Sequence, residues 1–326
     1  MHTTQSDLGQ GGIFQLPGEH TPVPGWLLQV PPDMKGVRVD AFVCARVPRL
    51  SRSRAGRLRL YDHQSGRVLK KSTVVLPGQW ILAIRPIPDD NAQVEFVPSI
   101  VWENDQWCLL NKPPGMATHP SASYFKRTVS YWLRCRGYEH MQSVHRLDVE
   151  TSGLLLCAKT SDAVRVGSDA FAQQRVKKDY LAVIDANAPA DEWRIDTPLG
   201  FDENSDIPIK MGRGQLSAVT HFKVLKRGQH RTLVQATPQG GRQHQIRVHA
   251  QLGGTPLVGD KLYGPDERFF LDRRTPMTES DLETLGHWRH ALHAYRLSAS
   301  FLPQIFETSV PRDWNEIRGI RDFLNQ

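Results

Sequence analysis

Residues 153–159, Gly-Leu-Leu-Leu-Cys-Ala-Lys, carry no charge between the glycine and the lysine. An apolar run this short reads as a strand buried in a core. A polar segment, residues 145–152, leads straight into it, so any chemistry there sits where a loop enters a sheet. Around it strands and helices alternate irregularly. Residues 99–112 read as a hairpin with Asn104-Asp105 at its turn. Ser161 begins a helix running to about Gln174, with Asp162 in its first turn, where a negative charge suits the helix dipole. Residues 179–184, 221–225 and 232–236 read as strands. There is no internal repeat and no strict strand–helix–strand rhythm, so the expected class is α+β with a mixed, largely antiparallel central sheet.

The 326 residues suit two domains, and the charge divides them. Residues 33–71 hold eleven Lys/Arg against three Asp, an excess of eight, while the whole chain carries +7. The cationic character therefore belongs to one module, which points to a polyanion, usually nucleic acid; the competing reading is a solvated charged face. Within that module Val39, Phe42, Val43 and Val47 recur at helical spacing up to Pro48, and Ser51 caps a second short helix carrying Arg52, Arg54, Arg57 and Arg59. Residues 66–75 and 80–85 read as strands. Residues 1–31 are expected to form a tail with little structure of its own, residues 32–92 the basic module (ending in a Pro/Asp/Asn linker at 86–93), and residues 93–326 the second domain. No apolar run is long enough for a bilayer and the N-terminus lacks a signal pattern, so the cytoplasm is expected. Cys44, Cys108, Cys135 and Cys157 are too dispersed for a zinc motif and read as buried thiols.

Three segments carry candidate chemistry. In His145-Arg146-Leu147-Asp148, Asp148 lies just before the apolar strand, where its backbone is held while its side chain can face a cleft. Residues 240–254 read as a glycine loop opening a helix that stops at Gly253-Gly254, with Pro256 beyond. His244, Arg247 and Gln251 share one face of it, while His249 lies well round, so the metal-binding pairing of a zinc peptidase is not made. An arginine buried on such a helix needs an anion, and Asp148 is the expected one. Tyr180, at the start of a strand, offers a flat ring and a phenolic tip that could stack on a base and move a proton. Seen singly, each has an ordinary explanation: a surface Arg146–Asp148 pair, or a core-edge tyrosine.

Together, HRLDVETSGLLLCAKT at 145–160, KKDYLAV at 177–183 and GRQHQIRVHAQLGGTPLVGDKLYG at 241–264 resemble the pseudouridine synthases of the ribosomal large-subunit type, the RluA family. Weaker echoes stand at 100–120, 210–225 and 289–300, so the resemblance spans nearly everything from residue 98 onward. It implies a pseudouridine synthase fold. The basic module resembles the ribosomal-protein-type RNA-binding module called the alpha-L motif, with YDHQSGRVLKK in place of the usual short turn.

The resemblance implies that uridine is isomerised to pseudouridine in structured RNA, with ribosomal large-subunit RNA the expected substrate and tRNA also within the family. The base nitrogen leaves the ribose, the uracil turns, and it rejoins through carbon 5; the reaction needs no cofactor and no metal. It assigns Asp148 as the essential carboxylate, Arg247 as its counter-ion and Tyr180 to stacking and proton removal from carbon 5. Arg146, Arg242 and Leu292 are candidate substrate contacts, with Arg146 occupying the space an extruded base vacates or binding a displaced phosphate. Arg52, Arg54, Arg57 and Arg59 would grip RNA. No membrane and no obligate protein partner is expected. Competing readings are a non-catalytic RNA-binding or ribosome-assembly factor on the same fold, and a hydrolase acting on a small molecule.

Overall fold

The computed structural model describes residues 11–14, 23–47, 50–85, 97–121, 124–138, 140–272, 277–317 and 320. The chain forms two compact units, Met1–Asp89 and Asp90–Gln326.

In the first unit the elements run β1 (Gly11–Phe14), β2 (Val23–Gln29), α1 (Val39–Arg46), α2 (Arg52–Ala55), β3 (Arg59–Asp62), β4 (Val68–Leu69) and β5 (Trp80–Ile84). The sheet order is β1-β2-β5-β3-β4. Val39, Phe42 and Val43 of α1 pack with Leu28, Val30, Leu60, Ile81 and Ala83, so the helical periodicity read from sequence does face a core. Three expectations change. The segment before residue 31 contains a seven-residue strand, β2, which pairs with β5 from Gly25 to Gln29. Gly25 is needed there, because a Cβ would lie 2.6 Å from the Ala83 carbonyl oxygen. The second helix is only Arg52–Ala55, since Gly56 ends it; Arg57 lies in the following turn and Arg59 opens β3. Residues 66–75 do not form one strand: Val68–Leu69 pair with β3, a turn follows at 71–72, and Val74 makes a single antiparallel bridge with Arg38. Pro48 and the linker at 86–93 lie outside the described residues.

The second unit contains β6 (Ser99–Glu103), β7 (Trp107–Lys112), α3 (Val129–Cys135), β8 (Gln142–Ser143), β9 (Ser152–Ala158), α4 (Ser161–Ala172), β10 (Lys177–Ile184), β11 (Glu192–Asp196), β12 (Leu199–Phe201) and β13 (Met211–Arg213). It continues with β14 (Val219–Arg227), β15 (Thr232–Gln239), α5 (Gln245–Leu252), α6 (Arg268–Leu271), α7 (Glu279–Leu285), β16 (Leu292–Ser298), β17 (Phe306–Glu307) and a 3₁₀ turn at Arg312–Glu316. The large sheet runs β11-β14-β15-β10-β16-β9-β7-β6. Its pairings are antiparallel except where β16 meets β9. The class expected from sequence, α+β with a mixed, largely antiparallel sheet, is the class observed. All seven residues of β9 are buried. The β6–β7 hairpin turns at Asn104, whose side-chain oxygen accepts from the backbone N–H of Gln106 and Trp107 at 2.9 and 2.7 Å.

Gly153 is dictated by the parallel joint. Its φ is +110°, and a Cβ would lie 2.2 Å from the Ala294 carbonyl oxygen. The strand β16 escapes a periodicity reading because it is built of Leu-His-Ala-Tyr-Arg-Leu-Ser, yet it is central. His293 is buried there because both ring nitrogens are bonded, to Ser152 Oγ and Thr308 Oγ1, each at 2.8 Å.

Candidate active site

A cavity of about 490 Å³ opens in the second unit where the loop before β9, the start of β10, the start of β16 and the N-terminal end of α5 converge. Asp148, Tyr180, Arg247, Arg146, Arg242 and Leu292 all line it. All six candidate catalytic and substrate residues of this unit therefore meet, although up to 146 positions separate Arg146 from Leu292 in sequence.

The loop carrying Asp148 is pinned from several sides. Leu147 N–H donates to Thr118 Oγ1 (3.1 Å), and that hydroxyl donates back to Leu147 O (3.0 Å). Gly115 N–H donates to Val149 O at 2.8 Å. Lys112, fully buried, spends its ammonium on three backbone carbonyls: Pro113 at 2.8 Å, Met116 at 2.8 Å and Val149 at 3.2 Å. Burial pushes it down to about 7, with Arg289 adding to the effect. Behind the loop, Glu150 pairs with Lys261 and lies 3.3 Å from His290 Nδ1, whose other nitrogen meets Thr151 Oγ1 at 2.8 Å.

Arg247 sits on α5, which ends at Gly253 as expected and starts at Gln245, with His244 as its N-cap after the glycine loop. Its Nη1 donates to Asp148 Oδ2 at 3.1 Å. The stronger grip is on a residue that pattern reading passed over. Asp260 accepts from Arg247 Nε at 2.7 Å and Nη2 at 2.9 Å, a bidentate pair. Asp260 also takes the backbone N–H of Leu262 and Tyr263, each at 3.0 Å, and is fully buried. Tyr263 lies under the guanidinium, its ring centroid 5.0 Å from Arg247 Cζ. Both residues fall in the GDKLYG stretch, and a buried guanidinium with five donors was the signal that a second carboxylate was required.

Burial alone would raise the Asp148 carboxyl, but His244, Arg247 and His290 outweigh it and hold the group below the usual carboxylate range. Burial pushes His244 itself down to about 4, so Arg247 is the standing cation at neutral pH. Burial, and then the Asp148 charge, hold the Tyr180 phenol above its ordinary value. Tyr180 is on β10, buried, with no hydrogen-bond partner for its hydroxyl among the described residues. Arg146 is exposed at the rim, with no ion-pair partner among the described residues. Arg242, also exposed, donates to Ser217 O at 3.2 Å. Leu292 is buried at the start of β16. Lys178, a further cavity residue, donates to Gly240 O at 2.6 Å and lies over the Phe171 ring.

The site thus offers one ionised carboxylate, a fixed guanidinium and a protonated phenol around an apolar floor. Among the described residues no group of three or more His, Cys, Asp or Glu could hold a metal ion, and no helix is long and apolar enough to cross a membrane.

Residues 106–252 match the family described as RNA pseudouridylate synthase. A ribosomal large subunit pseudouridine synthase D from Neisseria meningitidis serogroup A is 33% identical over 308 residues, covering 88% of this chain and 79% of the relative. The chain belongs to the RluA-type RNA pseudouridine synthases. A ribosomal large subunit pseudouridine synthase C from Vibrio parahaemolyticus is 30% identical over 251 residues, covering 73% of this chain and 79% of the relative. Among solved structures, human RNA pseudouridylate synthase domain containing 1 superposes with a TM-score of 0.53 at 25% identity, over 66% of this chain and 83% of that one. The RluA-type synthase described here is therefore an isomerase that acts on RNA, and the aligned span contains the Asp148 loop, Tyr180 and Arg247.

Proposed function

We propose that this synthase converts uridine to pseudouridine in large-subunit ribosomal RNA in the cytoplasm, with Asp148 as the essential carboxylate. The observation that carries the reading is the asymmetry of that carboxylate. Oδ2 is tied to Arg247 at 3.1 Å, while Oδ1 has no hydrogen bond among the described residues, and Asp148 lines the cavity. Whether the sugar is attacked or deprotonated, the first step draws on an ionised oxygen, and Arg247 keeps it so. The large-subunit substrate is supported by the names of relatives 33% and 30% identical to this chain, ribosomal large subunit pseudouridine synthases D and C.

Breaking the bond between C1′ and N1 releases uracil, which turns and bonds to C1′ through C5. The C5 proton must then leave and N1 must gain one, so the products balance with no other reagent. Tyr180 stacks on the uracil and handles the C5 proton. Because its phenol is held protonated, it acts as a relay, giving its own proton to N1 as it receives the one from carbon 5, which leaves Asp148 unchanged at the end of the cycle. Leu292 packs against the base. A cavity of this size admits one nucleotide, so the target uridine must leave its helix; Arg146 fills the gap or takes a displaced phosphate. The first unit, with Arg52, Arg54, Arg57 and Arg59, adds a salt-sensitive grip on phosphates.

The test is release of tritium from ribosomal RNA labelled at uridine carbon 5, with wild type and Asp148→Asn. Loss of turnover by about 10⁴-fold with RNA affinity retained is expected. Residual activity near wild type would overturn the role of Asp148. Mapping pseudouridine in ribosomal and transfer RNA from cells with and without the gene tests the substrate.

A further inference from the structure

His244 is in the left-handed region, φ +55°, at the N-cap of α5. A non-glycine residue there costs on the order of 1 kcal/mol and persists where the surroundings require it. What the conformation achieves is visible in the ring. The side chain is 8% exposed and lies between two groups: Tyr263, whose hydroxyl is 2.8 Å from Nδ1, and Asp148, whose Oδ1 is 3.9 Å from Nε2.

The tautomer follows from the hydrogen bonds. Tyr263 OH accepts from Met211 N–H at 2.9 Å. No other acceptor for the hydroxyl proton exists among the described residues, so that proton goes to His244 Nδ1. The ring's own hydrogen must then be on Nε2, the nitrogen facing Asp148. At 3.9 Å this is an ion–dipole contact, too long for a hydrogen bond. Oδ1 is therefore left unbonded for substrate while the N–H dipole opposes its rotation away.

We propose that His244 is a positioning residue for the isomerisation: with its tautomer fixed by Tyr263, it aims the Asp148 oxygen that Arg247 leaves free. The inference rests on Asp148 being the essential carboxylate. The groups facing the ring are Asp148 from the β9 loop, Arg247 on α5, Asp260 and Tyr263 beyond α5, and His290 before β16. Removing the Tyr263 hydroxyl takes away a bond made only to the neutral ring, so the His244 pKa rises and the acidic limb of the rate profile moves up.

The experiment combines ring-nitrogen NMR of the full chain with kinetics. Wild type should show His244 as the Nε2–H tautomer between pH 6 and 8, and Tyr263→Phe should lose that signature. His244→Asn keeps an acceptor near the Nδ1 position but no donor toward Asp148, and should lower kcat by about 100-fold with KM for RNA unchanged. His244→Gln restores a donor near the Nε2 position and should recover most of that loss. An Nδ1–H tautomer in wild type, or equal kcat in His244→Asn and His244→Gln, would overturn the inference. If Asp148→Asn were active, the reading of Asp148 would fall instead, so the two failures are distinct.

Discussion

Arg247 holds Asp260 with two hydrogen bonds, 2.7 and 2.9 Å, and has one nitrogen left for Asp148 at 3.1 Å. One guanidinium serves two carboxylates of different exposure: Asp260 is sealed, whereas the Asp148 side chain is 19% exposed to the cavity. The two acids should therefore fail differently. Asp260→Asn leaves the buried cation facing an amide and should cost about 3–5 kcal/mol of stability. Asp148→Asn leaves Arg247 paired and should cost no more than about 1 kcal/mol. Urea unfolding of both variants checks the contrast.

Acid stability follows from groups of two kinds. Burial holds His145 and His293 down to about 3 and His244 to about 4, against 6.5 when unfolded. The unfolded chain therefore binds more protons below pH 6.5, and stability falls as pH drops through that value. Asp148, Glu150 and Asp260 also lie below their ordinary 3.8, 4.5 and 3.8 in the fold, because nearby cations outweigh burial. Their contribution is full above about 4.5 and drains below it. Urea midpoints should decline gently from pH 6.5 and steeply below 4.5; a flat profile from pH 7 to 4 would contradict the assignment.

Lys112 ties the segment 113–116 to the loop bearing Asp148. Lys112→Met removes the donor shared by the carbonyls of Pro113, Met116 and Val149, of which Val149 keeps the Gly115 N–H, and should cost about 2–3 kcal/mol. Because Val149 loses one partner beside Asp148, kcat should fall more than RNA affinity. Hydrogen exchange at Gly115, whose N–H also bonds Val149 O, should accelerate.

Gln174 follows α4 at φ +56°, where the last turn ends in a left-handed residue. Gln174→Gly relieves that strain, and a gain of about 0.5–1 kcal/mol is expected in thermal or urea unfolding. A loss of stability would mean the side chain makes contacts that offset the strain.

Much of this site is legible in residue patterns because the determining features are local. A polar loop entering an apolar strand places Asp148, and Gly253-Gly254 end α5. What escapes is set by partners distant in sequence. Asp260 stands in Gly-Asp-Lys, which looks like a turn until the guanidinium above it is seen. The strand β16 hides because its one histidine, His293, is buried with both ring nitrogens satisfied by hydrogen bonds to Ser152 of β9 and to Thr308. In the first unit Pro24 and Gly25 suggest a loop, yet β2 is flanked closely enough by β5 that glycine is the residue that fits. Arg57 and Arg59 leave the expected helix because Gly56 stops it.

The only parallel contact in the large sheet among the described residues is two residue pairs long, Ser152 with His293 and Gly153 with Ala294. Asp148 approaches the cavity from one side of this seam, and Tyr180 and Leu292 from the other. A slip of two residues along it would shift the acid and the phenol by about 6.6 Å relative to each other. The spacing of Asp148 and Tyr180 is thus tied to the register of the central sheet. A substitution that disturbs this two-pair seam is therefore expected to move both residues at once, however far it lies from the cavity.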